Sequence, residues 1–331
     1  MDKKQILIII ATILILAGFG FAGEGEENTK NNSYLEIINS NPYTQDNNSE
    51  KPPHRSLNTD YVKVVVTYTS NAAPTVSNVK LNADTSFSPV ESTIKSVNVT
   101  GQVIDSDGAT DCTTISAIAY RSGVSSTCTA NDNYCYRGIS CNTSVSGSTI
   151  SCTCPVSIWF HADPTDAGDY SAQYWQGAVL ATDSVSNTVL GASTNTTVDL
   201  NTLLALDVTT SIAYGSLSPG ADTGATNQNV TVTATGNAAI DCSLKGANMT
   251  SASSGGTVLA TKQKYGLSTF TYSSGGTQLS TSDASLELVC AKPSTHPSDS
   301  TDIIYWGLGV DNGTPAAADY SGTNTLTATP D

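Results

Sequence analysis

Asp105, Asp107 and Asp111 stand close together in "DSDGATD". Carboxylates gathered on a tight loop are the ligand chemistry of a hard cation such as Ca²⁺. The distal Glu of a full calcium-binding loop is missing. The competing reading is an Asp-Gly turn between two strands. Asp163, Asp166 and Asp169 form a second acidic group. Catalytic chemistry has little to draw on. The three histidines are His54 in a polar tail, His161 behind Trp159 and Phe160, and His296 in a Pro/Ser loop. No nucleophile elbow, zinc-protease helix motif or phosphate loop occurs. The expectation is a protein without catalytic residues, and Ca²⁺ is its one candidate cofactor.

Eight cysteines are the other reactive group: Cys112, Cys128, Cys135, Cys141, Cys152, Cys154, Cys242 and Cys290. Six fall in the first half of the chain and two in the second. If each half pairs its own, Cys242 bonds Cys290, and the other six leave many pairings open. Cys152 and Cys154 share one face of a strand, so they take different partners. A zinc site is the alternative, but two C-x-x-C arms are absent and His is scarce.

Positioning falls to β-strands. Val and Thr abound, and only 13% of residues are charged. "KSVNVTGQVI" puts Val97, Val99 and Val103 on one face and Asn98, Thr100 and Gln102 on the other. "TTISAIAYRSG", "VSIWFHADP" and "YSAQYWQGAVLATD" follow, then "NVTVTATGN", "ASLELVCAKP" and "TDIIYWGLGVD" in the second half. Short strands at this spacing, parted by Gly-, Ser- and Asn-rich turns, predict sandwiches. Trp159, Trp175 and Trp306 are expected in or between the cores. A Cys-rich, loop-like insert separates the strands near 115 and 156.

The N-terminus carries Lys3 and Lys4, an apolar run from Ile6 to Phe21, and the small-x-small sequence Gly20-Phe21-Ala22. That pattern predicts a secretory signal cleaved after Ala22, or an uncleaved anchor helix. Residues 23–60 read as a polar linker, with "YLEII" able to make one turn of structure. "DYVKVVVTYTS" is a strand, expected to open the first sandwich; the alternative is addition to a neighbouring subunit. Net charge is −15, with 14 basic against 29 acidic residues. Such a surface repels nucleic acid. Asn-x-Ser/Thr sequons begin at Asn31, Asn47, Asn98, Asn142, Asn195, Asn229, Asn248 and Asn312.

Asp166-Ala167-Gly168-Asp169-Tyr170 resembles the D-x-G-x-Y tyrosine corner of immunoglobulin-like domains, in which the Tyr hydroxyl bonds back to the main chain. Ala172 stands where antibody domains carry Cys. "ATDSVSNT" and "VTGQVIDSDGATD" resemble segments of immunoglobulin-like modules in bacterial and archaeal surface proteins. "YGSLSPGADT" and "GTPAAADYSGTNTLTATPD" are similar to strands of secreted and pilin-type sandwiches. The chain is therefore expected to be all-β: a signal or anchor (1–22), a linker (23–60), an immunoglobulin-like sandwich (61–200) and a second sandwich (201–331). The resemblance implies an exported, non-enzymatic cell-surface structural or adhesion protein. Its partners would be cell-envelope proteins, glycans or other copies of itself, with the membrane reached only through the N-terminal segment. A filament subunit and a carbohydrate-binding module are the alternatives.

Overall fold

The computed structural model describes residues 33–40, 59–66 and 71–331, the first two segments as backbone. The expected signal or anchor, Asn31, Asn47 and His54 lie outside the described residues. Among those described, no helix is long and apolar enough to cross a membrane.

Residues 1–71 make one unit. Its described part is a hairpin of β1 (Ser33–Ser40) and β2 (Thr59–Val66), antiparallel from Ser33↔Val66 to Ser40↔Thr59. The strand expected to open the first sandwich therefore pairs within the N-terminal unit. Its partner is the stretch read as linker. Leu35, Ile37 and Ile38 supply strand-forming residues that the surrounding Asn and Ser outweighed in the composition.

Residues 72–331 form the second unit, all-β, with two sandwiches in tandem. The first begins with β3 (Thr75–Leu81), β4 (Ile94–Ile104), β5 (Cys112–Arg121) and β6 (Cys135–Ser140). It continues with β7 (Asn142–Ser146), β8 (Thr149–Trp159), β9 (Trp175–Asp183) and β10 (Thr188–Ala192). Its sheets run β3-β4-β8-β7 and β10-β9-β5-β6, antiparallel throughout. This is the two-sheet order of an immunoglobulin-like sandwich. In β8, Ile150, Cys152, Cys154, Val156 and Ile158 are buried at alternate positions. They face Val103, Gly101, Val99, Val97 and Lys95 of β4 in register. Strict alternation buries one face and wets the other.

Strand β5 breaks that rule, with Ala117 to Arg121 buried without interruption. Its outer face is covered by the Cys-rich insert, where Cys128 and Cys135 pack with Ile118, Tyr120 and Ala178 in a small second core.

The second sandwich is built from β11 (Leu206–Val208), β12 (Gln228–Ala234), β13 (Ile240–Gly246), β14 (Met249–Thr250) and β15 (Thr257–Val258). After these come β16 (Gln263–Gly266), β17 (Thr277–Gln278), β18 (Ala284–Cys290), β19 (Thr301–Leu308) and β20 (Asn324–Pro330). Its main sheets run β11-β12-β19-β16-β17 and β18-β13-β20, with β14-β15 a short separate pair. Trp175 of β9 and Trp306 of β19 are fully buried, one in each core.

The chain between the sandwiches is not a flexible tether. Leu200 is fully buried and bridges Phe87. Asp166 accepts hydrogen bonds from the Thr202 amide (2.8 Å) and hydroxyl (2.7 Å). Asn237 accepts from Leu203 N at 2.6 Å and donates to Asn201 O at 3.1 Å.

Candidate functional site

The three carboxylates singled out in the sequence do come together, at the end of the first sandwich where β4 turns into β5. One oxygen from each of Asp105, Asp107 and Asp111 lies within 4.8 Å of the other two. The turn is tight. Asp105 Oδ1 accepts from Asp107 N at 2.9 Å, Asp111 N donates to Gly108 O at 2.9 Å, and Gly108 adopts φ +115°, which favours glycine. Asp105 is fully buried. A buried carboxylate needs hydrogen bonds or a cation. Cys112 Sγ lies 3.8 Å from Asp105 Oδ2, and burial together with Asp105 pushes the thiol up to about 11. Asp107 Oδ2 is held by Ala72 N at 2.6 Å, and the Ser184 hydroxyl donates to Asp111. Buried Asp183, next to Ser184, is satisfied by Val185 N, Asn187 N and Asn187 Nδ2 at 2.7–3.0 Å. The three clustered carboxylates can each offer an oxygen to a hard cation.

A second polar cluster lies at the junction of the sandwiches; the sequence singled out Asp163 and His161 in it, but not Arg121, Asn133 or Lys292. Arg121 ends β5, and its Nε is 3.1 Å from Asp163 Oδ2; both side chains are buried. Lys292, beyond β18 in the second sandwich, places Nζ 3.1 Å from Asp163 Oδ1 and 2.9 Å from Asn133 Oδ1. Asn133 Nδ2 donates to Ser294 O at 3.0 Å. Trp175 Nε1 donates to Asp163 O at 2.9 Å, tying the cluster to the first core. His161 is buried, its Nδ1 3.3 Å from Asn133 Oδ1. Because that oxygen is the acceptor, Nδ1 carries the proton. Burial, with Lys292 nearby, lowers the His161 pKa. Trp159 stacks on His296 at 4.5 Å.

The D-x-G-x-Y residues serve this junction. Asp166 caps the boundary segment, and Gly168 takes φ +71° in the turn. The Tyr170 ring lies 3.7 Å from the Arg121 guanidinium carbon, a cation–π contact.

Disulfides join Cys128 to Cys135 and Cys141 to Cys154. Cys112, Cys152, Cys242 and Cys290 are thiols. The expected Cys242–Cys290 bond is not formed. The β13–β18 register sets Cys242 opposite Leu286 and Cys290 opposite Ile240, so the two thiols do not face each other across the ladder. Burial raises them to about 12 and about 11. Cys152 and Cys154 share the buried face as expected, and Cys154 alone of the two is bonded. The two disulfides point to an oxidising, extracellular environment.

The second sandwich carries a cleft of about 340 Å³ between Val208–Tyr214 and β20, reaching the buried Val230 and Trp306. No protein-family model matches the chain, and no curated protein matches it.

Proposed function

We propose that this is an exported cell-surface protein with a structural or adhesive role and no catalytic one, its two sandwiches working as a single stiff ectodomain. The observation that carries this reading is the junction. Two tandem sandwiches joined by a mobile linker would need no ion pair between them, yet buried Asp163 and half-buried Lys292 meet across this boundary. Desolvated charges cost energy that only a fixed geometry recovers. Two disulfides and an even acidic surface suit an oxidising, aqueous exterior. Exposed Asn98 and Asn229 would let glycans sit clear of both cores. Cell fractionation with protease shaving of intact cells tests the location, and small-angle scattering of the ectodomain tests the stiffness. Cytoplasmic recovery, or scattering that requires two independently moving bodies, would refute the reading.

A filament subunit is the second reading, favoured by the cleft beside β20. Among the described residues β20 pairs with β13 alone, and Leu326 and Ala328 are half-buried at that seam, as are Ile212 and Tyr214. A strand added there would complete the sheet. Sedimentation as a monomer over a wide concentration range would remove it. A glycan-binding module draws less support, because Trp175 and Trp306 are used up in the cores.

A further inference from the structure

His161 sits where the first sandwich meets the second, and it is only 1% exposed. Phe160 meets its ring edge-on at 5.1 Å, and the Trp159 ring lies nearly parallel at 6.2 Å, the limit of cation–π reach. Nδ1 faces Asn133 Oδ1 at 3.3 Å. Nε2 is buried and has no hydrogen-bond partner among the described residues. A neutral ring tolerates this, because only an acceptor is left over. A protonated ring would bury an N–H bearing positive charge with nothing to accept it.

The surrounding charges act in the same direction. Asp132 of the first sandwich and Lys292, His296 and Asp299 of the second are the titratable groups that act on the ring. Arg121 and Asp163 stand behind Lys292 in the same cluster. Asp132, His296 and Asp299 are exposed, so water and salt screen them. Both Asp299 oxygens are also held by Ser294, through its amide at 2.8 Å and its hydroxyl at 2.6 Å. Lys292 is the close group. Its Nζ lies 2.9 Å from the Asn133 oxygen that His161 faces. A protonated ring would set two cations on one amide oxygen, while Asp163 is already shared with Arg121. Burial first, then Lys292, holds His161 below the usual histidine value.

Lys292 has a way out, since its side chain is a quarter exposed. Together with Ser294 O, it is the hold that the second sandwich has on Asn133. The other ties between the sandwiches contain no histidine: Thr235 bonds Glu91 and the Ser92 amide, and Asn237 bonds Leu203 and Asn201.

We propose that His161 is an acid-sensitive latch on the junction: a proton taken from solvent onto Nε2 drives Lys292 off Asn133 and Asp163, and the sandwiches hinge about their other ties while each core stays folded. The latch rests on the reading of the two sandwiches as one stiff body. Above about pH 6.5 the imidazole is neutral in the folded and the unfolded chain, and the junction has its full strength. Below that the unfolded chain takes the proton first, so stability is lost as pH falls through the lower folded value.

Hydrogen exchange of the full chain, read by mass spectrometry at about pH 7.5 and about pH 5.5 and scaled for intrinsic exchange, tests the latch. Peptides covering 130–136 and 291–300 should lose protection roughly three- to tenfold at the lower pH, the range one proton allows. Peptides from β4, β8, β12 and β19 should keep theirs. His161→Gln, which retains a donor for Asn133, should be protected equally at both values, and Lys292→Met should be open at both. Unchanged wild-type protection overturns the proposal, as does an equal acid loss in His161→Gln. Protection of Lys292→Met at the higher pH overturns the role given to Lys292. A wild-type junction already open at the higher pH overturns the stiff body itself. Should His161→Gln fail to fold, histidine NMR of the wild type decides. The chain has three histidines, and one must titrate below about 6.5; three rings at or above that value overturn the latch.

Discussion

Replacing Arg121 by Met tests the energetics of the junction most directly. The Met side chain keeps much of the apolar stem and the volume while removing the charge. Arg121 is 7% exposed; its Nε meets Asp163, another of its nitrogens donates to Gln173 Oε1, and its guanidinium lies 3.7 Å from the Tyr170 ring. Breaking one side of a buried ion pair costs about 3–5 kcal/mol. Losing the cation–π contact adds about 1 kcal/mol. Lys292 remains against Asp163 and offsets part of this, and so does the apolar burial of Met. The balance is a loss of roughly 3 kcal/mol. For a unit of this size each kcal/mol lowers Tm by roughly 2–4 °C, so the expected fall is about 6–12 °C. Guanidinium denaturation should give the same loss with an unchanged slope, because the surface exposed on unfolding is the same. Arg121→Lys should recover only part of it, since an ammonium cannot lie flat on Tyr170 and reach both Asp163 and Gln173. A loss below about 1 kcal/mol for Arg121→Met would refute the reasoning, because it would mean that Asp163 is solvated or neutral at the junction.

Four further outcomes are expected. Replacing Cys141 and Cys154 together by Ser should cost about 2–4 kcal/mol, read by denaturation under non-reducing conditions; no change would show that the bond is not formed. Millimolar Ca²⁺ should raise Tm by binding the folded state, and Asp107→Asn should remove the rise; an unchanged Tm leaves "DSDGATD" as a turn. Cys242 and Cys290 should resist alkylation in the folded protein at neutral pH and react fully once it is unfolded, because both thiols are buried and held neutral; continued resistance in denaturant would reveal a disulfide. The Asp319 carboxylate, bonded by the Ser251 and Ser253 hydroxyls and Ser253 N, should titrate at about 2 by carbon NMR, and Ser251→Ala should move it up. Since its folded pKa lies below the unfolded one, its contribution to stability is present above about pH 4 and is lost as pH falls through about 2.

The sequence by itself determined the fold class and the strand faces. Val97, Val99 and Val103 of β4 point inward as their alternation requires, because a side chain's face depends only on its parity along the strand. The Asp105–Asp111 turn was legible for the same reason: Asp and Gly act on their own backbone within a few residues. Tertiary structure decided everything that joins distant segments. The burial of both faces of β5 follows from an insert folding over it, which no alternation within β5 records. Which cysteines bond depends on strand register, and Cys242 and Cys290 miss each other because of it. The β1–β2 hairpin was hidden because its first strand lies in a polar stretch whose average composition masks a short β-forming run. Arg121, Asn133 and Asp163 converge within the first sandwich, Lys292 joins them only once the two sandwiches dock, and a buried charge leaves no periodic trace in the chain. Local rules act over a few residues, whereas these contacts span up to 159 positions and exist only in the packed molecule.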